Sequence, residues 1–445
     1  MLAGFAEIEI TPKSGNMPGQ FEIYKATDGT IGGLYANAAA FDNRGASLIF
    51  VSVDIIFFSA KFGFDVRERI SALTGVSTAN ILVAGTHTHT GGPTDVKCWG
   101  TPAEPENAAI TADKIVEVAL AAWNNRAEAK LGVGRCYEPR FSFCRDYCMD
   151  DGKIKTNVGY AKAPNIKGRA GAVDYALDVM RVDDTDGNIK CFIVNYANHP
   201  DNEPMPRTKY SADYIGYMRR ELKRVYGDDV IVLYFNGTAG DVNDADFWHK
   251  TDYWFRGAGQ NSPKFIGEGL AEDIVNMNPR IIADVTELYI SATVKNCVVP
   301  TRKPTQENLD WAESVKDKVN TGVLKDYEEA YAEVYLGYDD AEWHNEEEIE
   351  VPVIRFGPWS IVGLGGEIYS EIGTRIKRDS PYDNTLVFQL ANGAHGYIPP
   401  ASIIGTATYP AKWGRYVTYL GADTADILVE GSLEQLNRFK ELEDK

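Results

Sequence analysis

The stretch of this chain best suited to chemistry runs from residue 85 to 93 and reads Gly-Thr-His-Thr-His-Thr-Gly-Gly-Pro. It follows the apolar run 81–84, typical of a short buried strand, and it ends in residues that cannot continue one. If the backbone stays extended through Thr88, His87 and His89 point to the same side, because strand side chains alternate with period two. Neutral imidazole is a common metal ligand, so the pair indicates a functional site, although two exposed loop histidines would give the same pattern.

Other strand ends carry residues that suit the same chemistry. His199, Glu367 and Tyr397 each lie just beyond an apolar stretch, and Asp241 and Asn243 follow another. Each has an ordinary alternative: a turn histidine, a glutamate in the first turn of a helix, a packed loop tyrosine, and an aspartate that caps a turn. Together the histidines, the glutamate and the tyrosine match the ligands of a catalytic zinc site that keeps one position open for water.

Strand and helix patterns alternate along the chain and predict an α/β protein. The predicted strands are 47–58, 81–84, 131–136, 176–182, 191–197, 230–235, 287–299, 351–356, 360–364 and 386–390. The predicted helices are 61–73, 108–123, 212–225, 263–276, 307–319, 327–334, 368–377 and 423–439. Gly75 is placed to end the first helix. We expect two packed mixed β-sheets flanked by helices, in αββα-like layers, as a single catalytic domain over residues 1–445. A helical insertion is expected at about 303–345, and the acidic run 339–350 is predicted to be a solvated turn.

Composition excludes several classes of partner. The chain has 445 residues, a formal net charge of −19 and a pI of about 4.8, which disfavours binding to nucleic acid or to an anionic membrane surface. No apolar run approaches the roughly 20 residues of a transmembrane helix, and the N-terminus does not resemble a signal peptide. Six scattered cysteines do not suggest a disulfide framework. A reduced, cytoplasmic protein is therefore expected, and the sequence leaves its oligomeric state open.

Several of these motifs together resemble the catalytic domain of the neutral (non-lysosomal) ceramidase family. The opening Gly-Phe-Ala-Glu-Ile-Glu-Ile-Thr-Pro at 4–12 is similar to the family's "AG…DITP" signature, and Thr-His-Thr-His-Thr-Gly-Gly-Pro at 86–93 to its "THTHSGPGG" motif. Further similarities are Cys-Arg-Asp at 144–146, Asn-His-Pro at 198–200, Ser-Ala-Asp at 211–213, Gly-Gly-Glu at 365–367 and His-Gly-Tyr at 395–397. The motifs occur in family order across residues 4–397.

The resemblance implies a role for each matched residue. His87, His199, Glu367 and Tyr397 correspond to ligands of Zn²⁺. His89 corresponds to the active-site histidine beside the metal, and we expect it to act as the acid/base in catalysis. Arg145 corresponds to an arginine near the substrate and is our candidate for stabilising an oxyanion. Asp213 is expected to orient one of the imidazoles from behind.

Two departures from the family pattern concern the substrate. Where the family has an active-site serine in "GDVSPN", this chain has Asn243, which we expect to intrude on the space beside the metal. The sequence ends at Lys445, so we expect no C-terminal immunoglobulin-like domain. The favoured interpretation is a zinc-dependent amidohydrolase that cleaves an N-acyl compound, either ceramide or a smaller soluble N-acyl amine. A zinc-dependent esterase and a catalytically inactive ligand-binding homologue are the alternatives.

Overall fold

The computed structural model describes residues 1–19, 24–26, 28–98, 101–249, 262–406, 408–414 and 417–445. Its strands are β1 Leu2–Glu9, β2 Asn16–Met17, β3 Tyr24–Lys25, β4 Thr30–Ile31, β5 Tyr35–Asn43, β6 Ala46–Val53, β7 Ile81–Gly85, β8 Ala127–Tyr137, β9 Phe143–Cys144, β10 Asp146–Met149, β11 Ile154–Thr156, β12 Ile166–Arg169, β13 Ala176–Asp184, β14 Ile189–Tyr196, β15 Tyr210–Ser211, β16 Ile231–Asn236, β17 Val242–Asn243, β18 Ile290–Pro300, β19 Glu346–Phe356, β20 Trp359–Leu364, β21 Glu367–Ile368, β22 Thr385–Gln389 and β23 Tyr397–Ile398. The helices are α1 Ala60–Thr74, α2 Pro105–Asn124, α3 Asp213–Tyr226, α4 Pro263–Met277, α5 Gln306–Val315, α6 Asp326–Leu336, α7 Ser370–Asp379 and α8 Thr424–Glu443.

Two mixed sheets form the centre of the molecule. The larger has eight strands in the order β16-β14-β13-β8-β1-β5-β6-β7, and the smaller has four in the order β18-β19-β20-β22. Strands β14 and β16, β6 and β7, and β20 and β22 pair in parallel, and the other neighbours in these sheets are antiparallel.

Aromatic side chains from both sheets fill the space between them. Phe235 of the large sheet stacks on Phe388 of the small sheet with ring centroids 4.5 Å apart. Phe356 of the small sheet packs against Phe41 and Phe50 of the large one, at 4.6 and 5.7 Å. Such contacts bury large apolar surfaces, which is the main favourable term in folding.

Helices cover the outer faces of both sheets. Apolar residues of α1 and α2 pack on β5, β6 and β7, and those of α3 and α4 pack on β13, β14 and β16. Helices α7 and α8 cover the small sheet. The expected αββα layers are therefore confirmed.

The sequence analysis did not predict two central strands of the large sheet. Strands β1 and β5 pair over eight residues, from Leu2 with Asp42 to Glu9 with Tyr35. The second of them reads Tyr-Ala-Asn-Ala-Ala-Ala-Phe-Asp-Asn, and alanine is depleted in strands. Small residues are needed in β1 because α2 lies very close: a Cβ on Gly4 would sit 2.2 Å from the carbonyl oxygen of Ala122. Alanines of β5 pack in the same apolar cluster as α2. The helix that demands them comes about a hundred residues later, outside any local pattern.

Other boundaries differ in an informative way. The strand predicted over 47–58 ends at Val53, where the buried carboxylate of Asp54 accepts hydrogen bonds from Arg219. The acidic run 339–350 is only partly a turn, since Glu346 to Glu350 begin β19 and pair with β18. The helix ending at Thr74 is capped by Gly75 at φ 75°, as predicted.

None of the helices in the described part of the chain combines the length and the apolar character needed to cross a lipid bilayer.

The aromatic layer between the sheets yields a stability prediction. Phe356→Ala, which empties a fully buried position contacting both sheets, should lower the free energy of unfolding by about 3–5 kcal/mol. Urea denaturation followed by circular dichroism measures the loss. Phe64→Ala is the matched control, because that ring is 49% exposed on α1 and should change stability by much less. Equal losses would show that the sheet interface does not dominate the core.

Candidate metal centre

The two histidine segments leave strands of the large sheet and meet beside the small sheet. His87 and His89 follow β7, and His199 follows β14. The backbone N–H of His89 donates to the carbonyl of Pro200 at 3.0 Å, which joins the segments directly. Glu367 and Tyr397 are opposed residues in the parallel pairing of β21 with β23. Their side chains also form a hydrogen bond.

The backbone reaches this arrangement by a different path from the one expected. Strand β7 ends at Gly85, and His87 has a left-handed φ of 73°, so the chain is not extended through Thr88. A positive φ is uncommon outside glycine, although histidine is among the residues that tolerate it better. The backbone N–H of His87 donates to the carbonyl of Ile55 at 3.0 Å, which holds this turn in place. The rings of His87 and His89 nevertheless lie together, with centroids 4.9 Å apart.

Three imidazoles and one carboxylate converge at a single buried point. Nε2 of His199 lies 3.2 Å from Nε2 of His87 and 3.0 Å from Nε2 of His89. Oε2 of Glu367 lies 3.2 Å from Nε2 of His87 and 4.0 Å from Nε2 of His199. All four side chains are buried, and the three histidines are grouped closely enough to bind one metal ion.

Backbone carbonyls determine which ring nitrogens carry protons. Nδ1 of His87 lies 3.1 Å from the carbonyl oxygen of Ile56, that of His89 2.9 Å from Gly19, and that of His199 3.3 Å from Ala239. A carbonyl oxygen only accepts, so each Nδ1 must be the protonated nitrogen. In the neutral rings the three Nε2 atoms then present lone pairs to one another, an arrangement typical of metal ligands.

Burial favours the unprotonated Nε2 atoms of His89 and His199, so too few protons are present to form hydrogen bonds between all the facing atoms. Burial lowers the pKa of His89 to about 4 and that of His199 well below its usual value. Burial alone would raise the pKa of Glu367, but its neighbours His87, Tyr397 and Arg145 lower it, so this side chain is a carboxylate. Its Oε2 receives no well-aligned hydrogen bond within the described part of the chain. One proton satisfies one of these contacts, whereas a cation satisfies all of them, so the residues present fit a bound metal.

An arginine and two tyrosines form the neighbouring wall. The guanidinium carbon of Arg145 lies 5.3 Å from the ring centre of Tyr397 and 5.1 Å from that of Tyr409. Nη2 of Arg145 donates to the carbonyl oxygen of Gly240, and the hydroxyl of Tyr409 donates to that of Tyr397, each at 2.5 Å. Burial raises the pKa of Tyr409 to about 12. Arg145 thus places a buried positive charge beside the imidazole cluster.

Two of the predicted site residues lie one layer behind the cluster. The carboxylate of Asp213 accepts hydrogen bonds from the backbone N–H groups of Asn202 and Glu203 at 2.7 and 3.0 Å, and from the Asn202 side chain at 3.0 Å. It therefore holds the loop after His199, and no hydrogen bond to an imidazole is found for it among the described residues. Asn243 is buried and bonds Asn157 and Ala245, and it is not part of the cavity wall described next. The structure thus places Asn243 behind the wall residue Asn157, whereas the sequence analysis expected it beside the metal.

A cavity of about 140 Å³ opens onto the cluster. Most of the side chains in its wall are polar or charged. The wall consists of Gly19, Ile56, Phe57, His89, Cys98, Arg145, Asn157, His199, Asp201, Glu367, Tyr397, Tyr409 and Val417.

Among the wall residues that the sequence analysis missed, Gly19, Asn157, Asp201 and Tyr409 interact with the cluster or its neighbours. Asp201 follows the His199-Pro200 pair directly, so its position was a usable signal. The other three lie far along the chain from the histidine motifs and carry no pattern of their own.

Comparison with known proteins identifies the fold. It is similar to that of a ceramidase complexed with C2, with a TM-score of 0.72 and 15% sequence identity over 99% of this chain and 75% of that one. It is also similar to the neutral ceramidase from Pseudomonas aeruginosa, with a TM-score of 0.71 and 15% identity over 98% of this chain and 74% of that one. No protein-family model and no curated protein sequence matches. The chain therefore has a neutral ceramidase-like fold, as the motifs suggested.

The converging side chains generate a prediction about metal content. His87→Ala and His199→Ala should each lose most of the bound zinc, because each removes one Nε2 lone pair from the cluster. Elemental analysis of purified protein, with circular dichroism to verify folding, is the measurement. His344→Ala is the control, because that histidine is exposed. Full zinc occupancy in folded His87→Ala or His199→Ala protein would refute the assignment of that ligand.

Proposed function

We propose that this protein is a zinc-dependent amidohydrolase that cleaves the amide bond of an N-acyl compound. The observation that carries the proposal is the convergence of three imidazole Nε2 atoms and the Glu367 carboxylate on a buried cavity. Imidazole ligands suit Zn²⁺ and do not suit Mg²⁺ or Ca²⁺, which prefer oxygen ligands only. Proteins of the same fold are ceramidases, and ceramide is itself an N-acyl amine, which supports amide hydrolysis as the reaction.

The residues that would hold the metal are His87, His199, Glu367 and Tyr397. Zinc, when bound, lowers the pKa of a coordinated water from ~15.7 towards ~7 and polarises a carbonyl group as a Lewis acid. Tyr397 lies opposite Glu367 in the paired strands and lines the same cavity, which supports its place among the ligands. Burial raises the pKa of Tyr397 well above its usual value, and a nearby cation would act in the opposite direction.

His89 is the proposed acid/base. Its Nδ1 is held by the carbonyl of Gly19, which leaves Nε2 as a proton acceptor facing the cluster. There it can take a proton from the attacking water and deliver that proton to the leaving nitrogen. The carboxylate of Asp201 lies 3.7 Å from Nδ1 and favours the protonated ring between the two transfers.

Arg145 is the proposed stabiliser of negative charge on the carbonyl oxygen of the substrate. Its guanidinium is buried in the cavity wall and held by the carbonyl of Gly240 and by two aromatic rings. A fixed positive charge in a site from which water is excluded stabilises a developing oxyanion more than a mobile one would.

The proposed roles predict that changes at His89 and Arg145 affect catalysis but not metal binding. His89→Ala and Arg145→Ala should lower kcat roughly a hundredfold or more, because each removes an interaction made mainly in the transition state. Zinc content should stay at the level of the unmodified protein. Steady-state kinetics and elemental analysis on the same preparations are needed. Loss of zinc from His89→Ala would instead identify His89 as a metal ligand.

The wall of the cavity also supports a substrate smaller and more polar than long-chain ceramide. As bounded by the described residues, the cavity has about half the volume of the smallest drug-sized pockets. Its wall carries an arginine, an aspartate, a glutamate, an asparagine and two histidines, a poor match for a long alkyl chain.

We therefore expect kcat/KM to be higher for short, water-soluble N-acyl amines than for a long-chain ceramide in detergent. Both should be measured with zinc-loaded protein at the same detergent concentration, together with the matched esters. A clear preference for ceramide would contradict the small-substrate proposal. Faster turnover of the esters than of the amides would identify an esterase. Absence of turnover with every compound would favour a binding protein.

A further inference from the structure

Asn157, which no motif indicated, lies exposed at the mouth of the cavity. Its backbone N–H donates to the carbonyl oxygen of Arg145 at 2.9 Å, so it is joined to the proposed oxyanion-stabilising residue. Its φ of 46° is left-handed, a conformation that asparagine tolerates better than most residues. Its side chain is part of the cavity wall.

A chain of hydrogen bonds fixes the orientation of the Asn157 amide. The backbone N–H of Ala245, which can only donate, lies 2.5 Å from Oδ1 of Asn243. Nδ2 of Asn243 is therefore the end that donates to Oδ1 of Asn157, at 2.9 Å. The Nδ2 group of Asn157 is left as the free end, and no acceptor for it is found among the described residues.

One charged residue of the same wall, Arg145, favours an anion. The guanidinium of Arg145 is buried and forms no ion pair with a carboxylate of the described residues, and its Nε has no hydrogen-bond partner there. The two carboxylates of the wall are already engaged: Asp201 lies 2.5 Å from Nη1 of Arg207, and Glu367 belongs to the imidazole cluster. The carboxylates of Glu367 and Asp146 act on this guanidinium without forming an ion pair with it. An anion within hydrogen-bond distance of the guanidinium would therefore be stabilised.

We propose that the substrate carries a carboxylate close to the scissile amide, that Nδ2 of Asn157 donates to this carboxylate, and that Asn243 is the positioning residue that keeps this donor facing the cavity. The proposal rests on the amidohydrolase function proposed above and names its substrate class: N-acyl compounds with a carboxylate on the amine side, such as N-acylated amino acids.

The test uses N-acetyl amines that differ only in one group on the carbon next to the scissile nitrogen: a carboxylate, a carboxamide or a methyl group. With zinc-loaded protein, kcat/KM for the carboxylate should exceed that for the methyl compound roughly tenfold or more, as expected for a hydrogen bond to a charged group. Asn157→Gly, which keeps the left-handed backbone available, should lower this ratio roughly tenfold. A second variant, Asn243→Asp, replaces an amide by a carboxylate behind the cavity wall. Its control is Asn276→Asp, which makes the same replacement at an exposed position of α4.

Asn243→Asp separates orientation from simple charge repulsion. The new carboxylate would accept from both Ala245 and Asn157, which turns the Asn157 amide and points its Oδ1 at the cavity. The carboxylate-over-methyl ratio should therefore fall in the unmodified background and change little in the Asn157→Gly background. An equal fall in both backgrounds would mean repulsion and would overturn the positioning role of Asn243.

Failure of the substrate proposal can be distinguished from failure of the function. If the methyl and carboxamide compounds are hydrolysed as well as the carboxylate, the protein is an amidohydrolase and the carboxylate proposal is wrong. If none is hydrolysed, the proposed function fails, and calorimetric titration with the same compounds still tests recognition. Tighter binding of the carboxylate, lost in Asn157→Gly, would support the role of Asn157, and equal binding would overturn it.

Discussion

The structure depends on a constraint that is unfavourable in isolation: three imidazole lone pairs and a carboxylate oxygen face one another in a buried space. Water could satisfy such groups at a surface, but here they are almost fully buried. The three imidazoles cannot relieve this by moving their protons to Nε2, because each Nδ1–H donates to a backbone carbonyl, of Ile56, Gly19 or Ala239. A cation relieves the conflict. The surrounding fold holds these side chains in the positions that the proposed metal would require.

Helix α3 has a central part in that framework, because its residues hold both histidine segments. Near the start of the helix, Asp213 binds the backbone of the loop that follows His199. Two turns later, Arg219 forms a buried ion pair with Asp54 at 2.8 Å, and Asp54 also accepts from the hydroxyl of Thr86, next to His87, at 3.4 Å. Loss of one partner from such a pair typically costs about 3–5 kcal/mol. The apolar face of α3 thus anchors the large sheet, while its polar residues set the spacing of the proposed metal ligands.

The sequence predicted the layers and most helices because their hydrophobic patterns are local, as in α1 with its Gly75 cap. It missed β1 and β5, whose alanines and glycine reflect the close approach of a distant helix. At the site, the residue types around His87 could be recognised, but its left-handed backbone could not, because hydrogen bonds to Ile55 and Ile56 from another loop determine it. Roles that depend on three-dimensional proximity, such as that of Tyr409, leave no mark in a local pattern.

The position of Asn243 suggests how a residue behind the cavity wall can act on the substrate. The resemblance placed a catalytic serine there, which would make its replacement a change to the chemistry itself. Here both ends of the Asn243 amide are used by Ala245 and Asn157, one layer behind the cavity wall. On the proposal above, its effect would reach the substrate through the Asn157 amide and not through the imidazole cluster. The imidazoles are held by the carbonyls of Ile56, Gly19 and Ala239, which Asn243 does not contact, so we expect a change at Asn243 to leave them in place.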